Sequence, residues 1–487
     1  MAKQKSLKKN FIMNAILTMS TFIFPLITFP YVSRILGPVG TGKVSFATSV
    51  ISYFSMFAQL GIPTYGIRAC AKVREKKDNL TRTAHELLMI NLIMNIISYT
   101  VLILTLIFVP RFQEERLLYV IISTTIFLTS IGMEWLYKAL EQYTYITIRS
   151  IIFKFMALVA MFLLVHRQSD YVIYGAITIF ASSASNIFNL LNAHKFIGFR
   201  PVGNYNLKRH LKPVAIFFAM ACATTIYTHL DVVMLGFMAS DADVGYYHAA
   251  VRIKTILVSI VTSLGTVLLP RASYYIQQGK MEEFKRISRK ALNFVFLLAT
   301  PLTVYFVIFA RYGVYLLSGK EFTGAILPMR VIMPTLLLIG ITNIMGIQIL
   351  VPTGREKIVL YSEVAGATVD VIINVLLIPR FVSTGTAIGT LVAEFIVLVV
   401  QYWALKDELR EVIQEINYLR ILVGIVIGST LSCWVIFLEL GSFITLLISA
   451  VLFFGGYGIY MLLRKETIVV EAVEQVFSGV KRKFVKR

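Results

Sequence analysis

A chain of 487 residues that is 57% hydrophobic and 15% charged, with a mean hydropathy of +0.75, is too apolar for a soluble domain, which carries about 25% charged residues. The formal net charge of +21 would suit a nucleic-acid binder, but its distribution along the chain, given below, excludes that class. Three widely separated cysteines, Cys70, Cys222 and Cys433, exclude a disulfide framework or a cysteine metal site.

A lysine-bearing start (Lys3, Lys5, Lys8, Lys9) precedes the first apolar run, whose length argues for a retained helix rather than a cleaved signal. A membrane span needs about 20 apolar residues. In chain order the runs predict spans at 11–32, 44–67, 86–109, 117–137, 145–165 and 171–192, then 213–236, 246–269, 291–317, 327–351, 358–379 and 384–405, and finally 421–438 and 442–463. The expected fold class is therefore all-α integral membrane, with about fourteen transmembrane helices. Alternate connections carry 35 of the 47 Lys and Arg on one side and 7 on the other. That bias places both termini and the basic connections in the cytoplasm, against anionic headgroups. The connections near 193–212 and 271–290 are basic and amphipathic, and Phe284, Ile287 and Ala291 suggest that the second lies flat on the inner leaflet.

An internal echo divides the chain. Leu36-Gly37 with Gly42 and Ala47 opens the second span, and Leu235-Gly236 with Gly245 and Ala249-Ala250 opens the eighth. The expected plan is two pseudo-symmetric six-helix lobes related as parallel repeats, with the site between them. The segments are then 1–192, a basic linker 193–212, 213–405, two appended helices in 406–463, and a basic amphipathic tail 464–487.

Ionisable side chains inside apolar runs carry the functional signal, because each costs about 2.5–3.5 kcal/mol at the bilayer centre unless it faces a cavity or a partner. Glu363, Gly366, Asp370 and Asn374 recur at intervals of three and four, so they share one helix face, and Glu394 lies at a similar depth. They line a wet cavity or form interhelical ion pairs. Asp231 and Arg252 lie at matching depths and are expected to pair; Lys254 points elsewhere. Arg34, Arg68, Arg149 and Lys154 sit nearer span ends, where long side chains reach the interface. Tyr227 and Gln348 add polar groups. Embedded cations suit a phosphate through the guanidinium fork; the acids suit H⁺ or Na⁺ coupling. No catalytic set or metal spacing appears, so no enzyme and no cofactor is expected. Gly37–Lys43 spells a phosphate-loop pattern, but Val44 stands where Ser or Thr is required. Asp241 and Asp243 lie in a connection too short for an acceptor pocket.

Phe29-Pro30-Tyr31-Val32-Ser33-Arg34-Ile35-Leu36-Gly37-Pro38, Leu60-Gly61-Ile62, Tyr65-Gly66-Ile67-Arg68, Val244-Gly245-Tyr246-Tyr247 and Pro352-Thr353-Gly354-Arg355-Glu356 together resemble bacterial polysaccharide repeat-unit flippases, relatives of the lipid II flippase and the MATE exporters. Thr41 and His248 depart from the usual pattern. The resemblance implies a V-shaped bundle that alternates access and turns undecaprenyl-pyrophosphate-linked oligosaccharide from the cytoplasmic to the outer leaflet of a bacterial cell membrane, for capsule, O-antigen or exopolysaccharide. It maps cavity cations onto Arg34, Arg68, Arg149 and Arg252, and acids onto Asp231, Glu363 and Asp370. The implied partners are the lipid-linked oligosaccharide, membrane lipids and other polysaccharide-assembly proteins, with no nucleic acid and a monomer as the default. A MATE-type cation exporter, and a membrane glycosyltransferase or polymerase, are the competing readings.

Overall fold

The structure is a computed structural model that describes residues 7–414, 416–471 and 474, so most of the expected basic tail lies outside the described residues. Every regular element among those residues is helical. Among the described residues, eleven helices are long and apolar enough to cross a membrane, or twelve if the bent pair Lys320–Ile332 and Thr335–Leu350 is one span. The all-α multi-pass membrane class thus holds.

Helices fill the chain because no water is available at membrane depth to satisfy backbone N–H and C=O groups, so each segment bonds to itself. Two elements are too long for a single pass. Leu7–Gln59 has 53 residues, about 80 Å if straight at ~1.5 Å per residue, against a ~30 Å hydrocarbon core. It breaks at Gly37, where φ is 64°, a conformation that glycine enters freely.

The arms on either side of Gly37 run in opposite directions. Along the first arm, Thr147 Oγ1 donates to Met13 O (3.0 Å), Lys154 Nζ to Ser20 Oγ (2.7 Å) and Tyr31 Oη to Val165 O (2.9 Å), so this arm runs parallel to Tyr143–Leu164. Along the second, Lys43 pairs with Glu115 and Gln59 Nε2 donates to Thr129 Oγ1 (3.3 Å), parallel to Arg116–Ile131. Tyr171, just past Val165, bonds Glu115 (2.8 Å), which puts the break and both of those helix ends at one face.

Glu356–Gln414, 59 residues long, breaks at Val382 (φ 42°). Its arms meet from end to end: Gln401 Nε2 donates to Ser362 Oγ (3.0 Å), a Cβ on Gly366 would press on Val397 and Ala393, and one on Gly389 would press on Asn374 and Asp370.

Several expected spans are interrupted. The run 44–67 stops at Gln59, and a new helix, Ile62–Val73, begins after Leu60 (φ 47°) and Gly61 (φ 72°). The spans 171–192 and 327–351 contain π-helical turns at Phe180–Ala184 and Ile344–Leu350. The expectation of a surface helix near 271–290 is corrected: Met281–Ile308 is one continuous helix, because Phe284, Ser288, Ala291, Leu292 and Val295 carry one buried face through it without a break.

The chain forms two compact units, residues 1–245 and 246–487. Helix Lys208–Met238 belongs to the first. The last two helices are packed into the second, where Tyr305 Oη donates to Leu446 O (2.9 Å) and Tyr457 Oη donates to Leu297 O (2.9 Å).

In the first unit, the two turns that echo each other in sequence lie against one another. A Cβ on Gly42 would overlap the Asp241 carbonyl and come within 2.9 Å of Gly245 N; one on Gly245 would overlap the Pro38 carbonyl. Arg111 locks this end: it pairs with Asp241 and Glu114, donates through Nε to Gly236 O (3.1 Å) and lies over the Phe46 ring. Gly42→Ala should therefore lower stability by about 1–3 kcal/mol, the usual cost of overpacking. A thermal melt of the purified protein in detergent checks this, with Gly203→Ala, where the added Cβ meets no atom but φ is strained, as a comparison.

Candidate functional site

The first unit gathers Arg149, Lys154, Asp231 and Tyr227 from the expected set, together with Arg34 and Arg68. Arg34 and Arg68 are exposed, on Leu7–Gln59 and Ile62–Val73. Arg149 is the opposite case. It lies on Tyr143–Leu164 with only 8% of its surface exposed, and its nearest carboxylate is Glu134, 3.6 Å from Nη2. Glu134 is itself held more closely by Lys138, at 2.9 Å. The Nε and Nη1 groups of Arg149 meet no acceptor among the described residues.

Tyr137 and Tyr145 stack near Arg149 with centroids 5.3 Å apart and are anchored through their hydroxyls to Asn189 O (2.5 Å) and Phe188 O (2.9 Å). The side-chain amides of Asn189 and the Oδ1 of Asn186 are likewise buried without acceptor or donor partners. Buried polar groups are normally bonded. Here a guanidinium and two asparagine amides on neighbouring helices have groups that lack protein partners among the described residues.

Lys154 is half-buried and spends one proton on Ser20. Asp231 is buried on Lys208–Met238, within electrostatic reach of Tyr53, whereas Tyr227, one turn away, is 41% exposed.

The second unit holds Arg252, Lys254, Glu363, Asp370, Asn374, Glu394 and Gln348. Asp370, Asn374, Glu394 and Gln348 are buried; Arg252, Lys254 and Glu363 are half-buried. Of the four residues expected on one face, Gly366, Asp370 and Asn374 lie together, while Glu363 is half-buried. The face of these three is turned toward the returning arm of its own hairpin, where Gly389 leaves room for the carboxylate and the amide. An apolar cavity of about 410 Å³ in this unit, lined by Pro334, Leu337, Leu391 and Phe395 among others, includes none of the acids.

Two features of the first unit were not picked out from the sequence. One is a cavity of about 370 Å³ lined by Thr48, Ser52, Ser55 and Gln59 of one arm, Thr125, Ser182 of the π-helical turn, and Thr225. The signal was available: polar residues at 48, 52, 55 and 59 follow one helix face. Uncharged hydroxyls are so common in apolar helices that this pattern did not stand out.

The other feature is Glu86, fully buried, which accepts from Asn206 N (2.7 Å) and Arg209 Nε (3.0 Å) and lies 2.7 Å from His210 Nε2. His210 Nδ1 in turn lies 2.8 Å from the Tyr65 hydroxyl. The basic segment 193–212 is thereby tied to helix Lys77–Phe108.

Long apolar helices holding charged and hydroxyl side chains at membrane depth define a multi-pass membrane protein that handles a polar guest. The family described as polysaccharide biosynthesis protein matches residues 7–276, and the chain belongs to that family. The MatE family also matches residues 215–376.

A putative O-antigen transporter of Escherichia coli K12 is 24% identical over 394 residues, covering 80% of this chain and 95% of that protein. The probable low-salt glycan biosynthesis flippase Agl15 of Haloferax volcanii is 21% identical over 216 residues, 44% of each chain. Among solved structures, the lipid II flippase MurJ in an inward closed conformation superposes with a TM-score of 0.70 at 16% identity, covering 94% of this chain and all of that one. An inward-facing multidrug resistance MATE family transporter gives 0.63 at 13%, covering 83% and 99%. These last two establish a shared fold.

Proposed function

We propose that this protein is a flippase that carries undecaprenyl-pyrophosphate-linked oligosaccharide repeat units from the cytoplasmic to the outer leaflet by alternating access, in capsule, O-antigen or exopolysaccharide synthesis. Arg149 carries the reading. A guanidinium buried at membrane depth with open donors is suited to a pyrophosphate, whose oxygens accept in the bidentate geometry that Arg presents. The family membership and the O-antigen transporter relatives support it.

In this reading the two hairpins each cross twice, giving fourteen crossings, with termini and basic connections cytoplasmic. Asp231, Glu363, Asp370 and Glu394 serve H⁺ or Na⁺ coupling. The protein works as a monomer beside other polysaccharide-assembly proteins and performs no covalent chemistry. A MATE-type exporter of organic cations is disfavoured because no carboxylate among the described residues lines the first unit's cavity.

The test is reconstitution. Purified protein in liposomes should speed the movement of a fluorescent polyprenyl-pyrophosphate sugar to the opposite leaflet, and an imposed proton or sodium gradient should drive net accumulation. Equal rates in protein-free liposomes would refute the proposal.

A further inference from the structure

The cavity of the first unit differs in chemistry from the Arg149 neighbourhood: among the described residues, no Lys, Arg, His, Asp or Glu lines it. Several of its polar groups are already bonded to the protein. Ser52 Oγ donates to Thr48 O (2.8 Å) and Ser182 Oγ to Thr178 O (2.9 Å). The Gln59 amide donates to Ser55 Oγ (2.8 Å) and Thr129 Oγ1 (3.3 Å), while Thr125 shares its hydroxyl bond with Ser183 (2.7 Å). The void is lined by an uncharged set of hydroxyls and one amide: Ser52 and Ser182 keep lone pairs that accept, while Thr48, Ser55 and Thr225 can turn their hydroxyls to donate as well.

A wall without a cation among the described residues offers a phosphate no partner for its charge. It also offers no carboxylate to an organic cation. It suits an uncharged guest that both donates and accepts hydrogen bonds, as sugar hydroxyls do. Between the hydroxyls, Ile51, Ile122 and Ile179, each one turn from a lining Thr or Ser on its own helix, add apolar patches suited to the C–H face of a pyranose ring. At ~30 Å³ per water, the volume holds about a dozen waters, space that one or two sugar rings would fill.

The backbone is also shaped around this void. Leu60 and Gly61, both with positive φ, interrupt the helix at its edge, and a Cβ on Gly61 would come within 2.5 Å of the Phe217–Phe218 backbone. The π-helical turn Phe180–Ala184 places Ser182 in the wall. Helix interruptions and π-turns of this kind are concentrated at binding sites.

We infer that this cavity is a sugar-recognition subsite, in which Ser52, Gln59 and Ser182 accept hydrogen bonds from an uncharged glycosyl residue, separate from the arginine that takes the pyrophosphate. The inference rests on the flippase reading and adds to it a site that selects the glycan.

The experiment compares two fluorescent probes in proteoliposomes: polyprenyl pyrophosphate bearing one N-acetylhexosamine, and the same lipid with no sugar. The wild-type protein should move the sugar-bearing probe faster. In Gln59→Leu and, separately, in the milder Ser182→Ala, the ratio of sugar-bearing to bare rates should fall about tenfold, equivalent to ~1.4 kcal/mol. Arg149→Ala should slow both probes and leave the ratio near the wild-type value. Melting temperatures within a few degrees of wild type identify the folded variants, and Ser182→Ala, the loss of one oxygen, stands if Gln59→Leu does not fold. An unchanged ratio in Ser182→Ala overturns the subsite. Should the wild-type protein move neither probe, the flippase reading falls and takes the subsite with it, a pattern distinct from an unchanged ratio.

Discussion

Arg149→Ala should reduce delivery of surface polysaccharide about a hundredfold, a transport loss of ~2.7 kcal/mol, while the protein remains in the membrane at its normal level. The size follows from removing a charge-assisted, two-pronged contact in a buried place, at the upper end of ~1.5–3 kcal/mol for hydrogen bonds to charged groups. Retained folding follows from the local geometry. Glu134 is 3.6 Å from Arg149 but 2.9 Å from Lys138, so the carboxylate keeps its closer partner when the arginine goes. Arg149→Lys keeps the charge but loses the fork and should fall between the two. Surface polymer measured beside immunoblots of the membrane fraction checks this. Wild-type polymer in Arg149→Ala would remove the residue from the phosphate role.

Glu86→Ala should have the opposite signature, a loss of stability of about 3 kcal/mol, within the ~3–5 kcal/mol for breaking one side of a buried ion pair. The lower end applies because Arg209 is 45% exposed and can recover water, whereas His210 at 4% cannot. The loss should appear as a lowered melting temperature and as faster proteolysis within 193–212, since Glu86 accepts directly from Asn206 N and holds Arg209. A melt identical to wild type would show that the segment is held by other means, such as the hydrogen bonds from His85 to Gly198 O and from Gly198 N to Thr81.

Together the two variants separate a residue kept for its guest from one kept for the fold. Both are buried and ionisable at the edge of an apolar run, and nothing in the sequence around them distinguishes their roles. The difference lies in partners. Glu86 is saturated by groups more than a hundred residues away, while Arg149 has open donors.

The sequence alone determined that the chain is an all-helical membrane protein, because hydropathy and the lack of water in a bilayer leave little choice. It determined where most helices lie and that Gly366, Asp370 and Asn374 share a face, since each follows from hydropathy or helical period; the break at Gly37 came only with the structure. The resemblance carried by residues 29–38 anticipated the family. Only the tertiary structure decided which way that acidic face turns, that the run 44–67 breaks at Leu60–Gly61, that the basic stretch near 281–290 continues a long helix, and that scattered hydroxyls from 48 to 225 enclose one cavity. The physical reason is that a period of 3.6 residues fixes which side chains share a face, while what that face meets depends on segments far away in the chain.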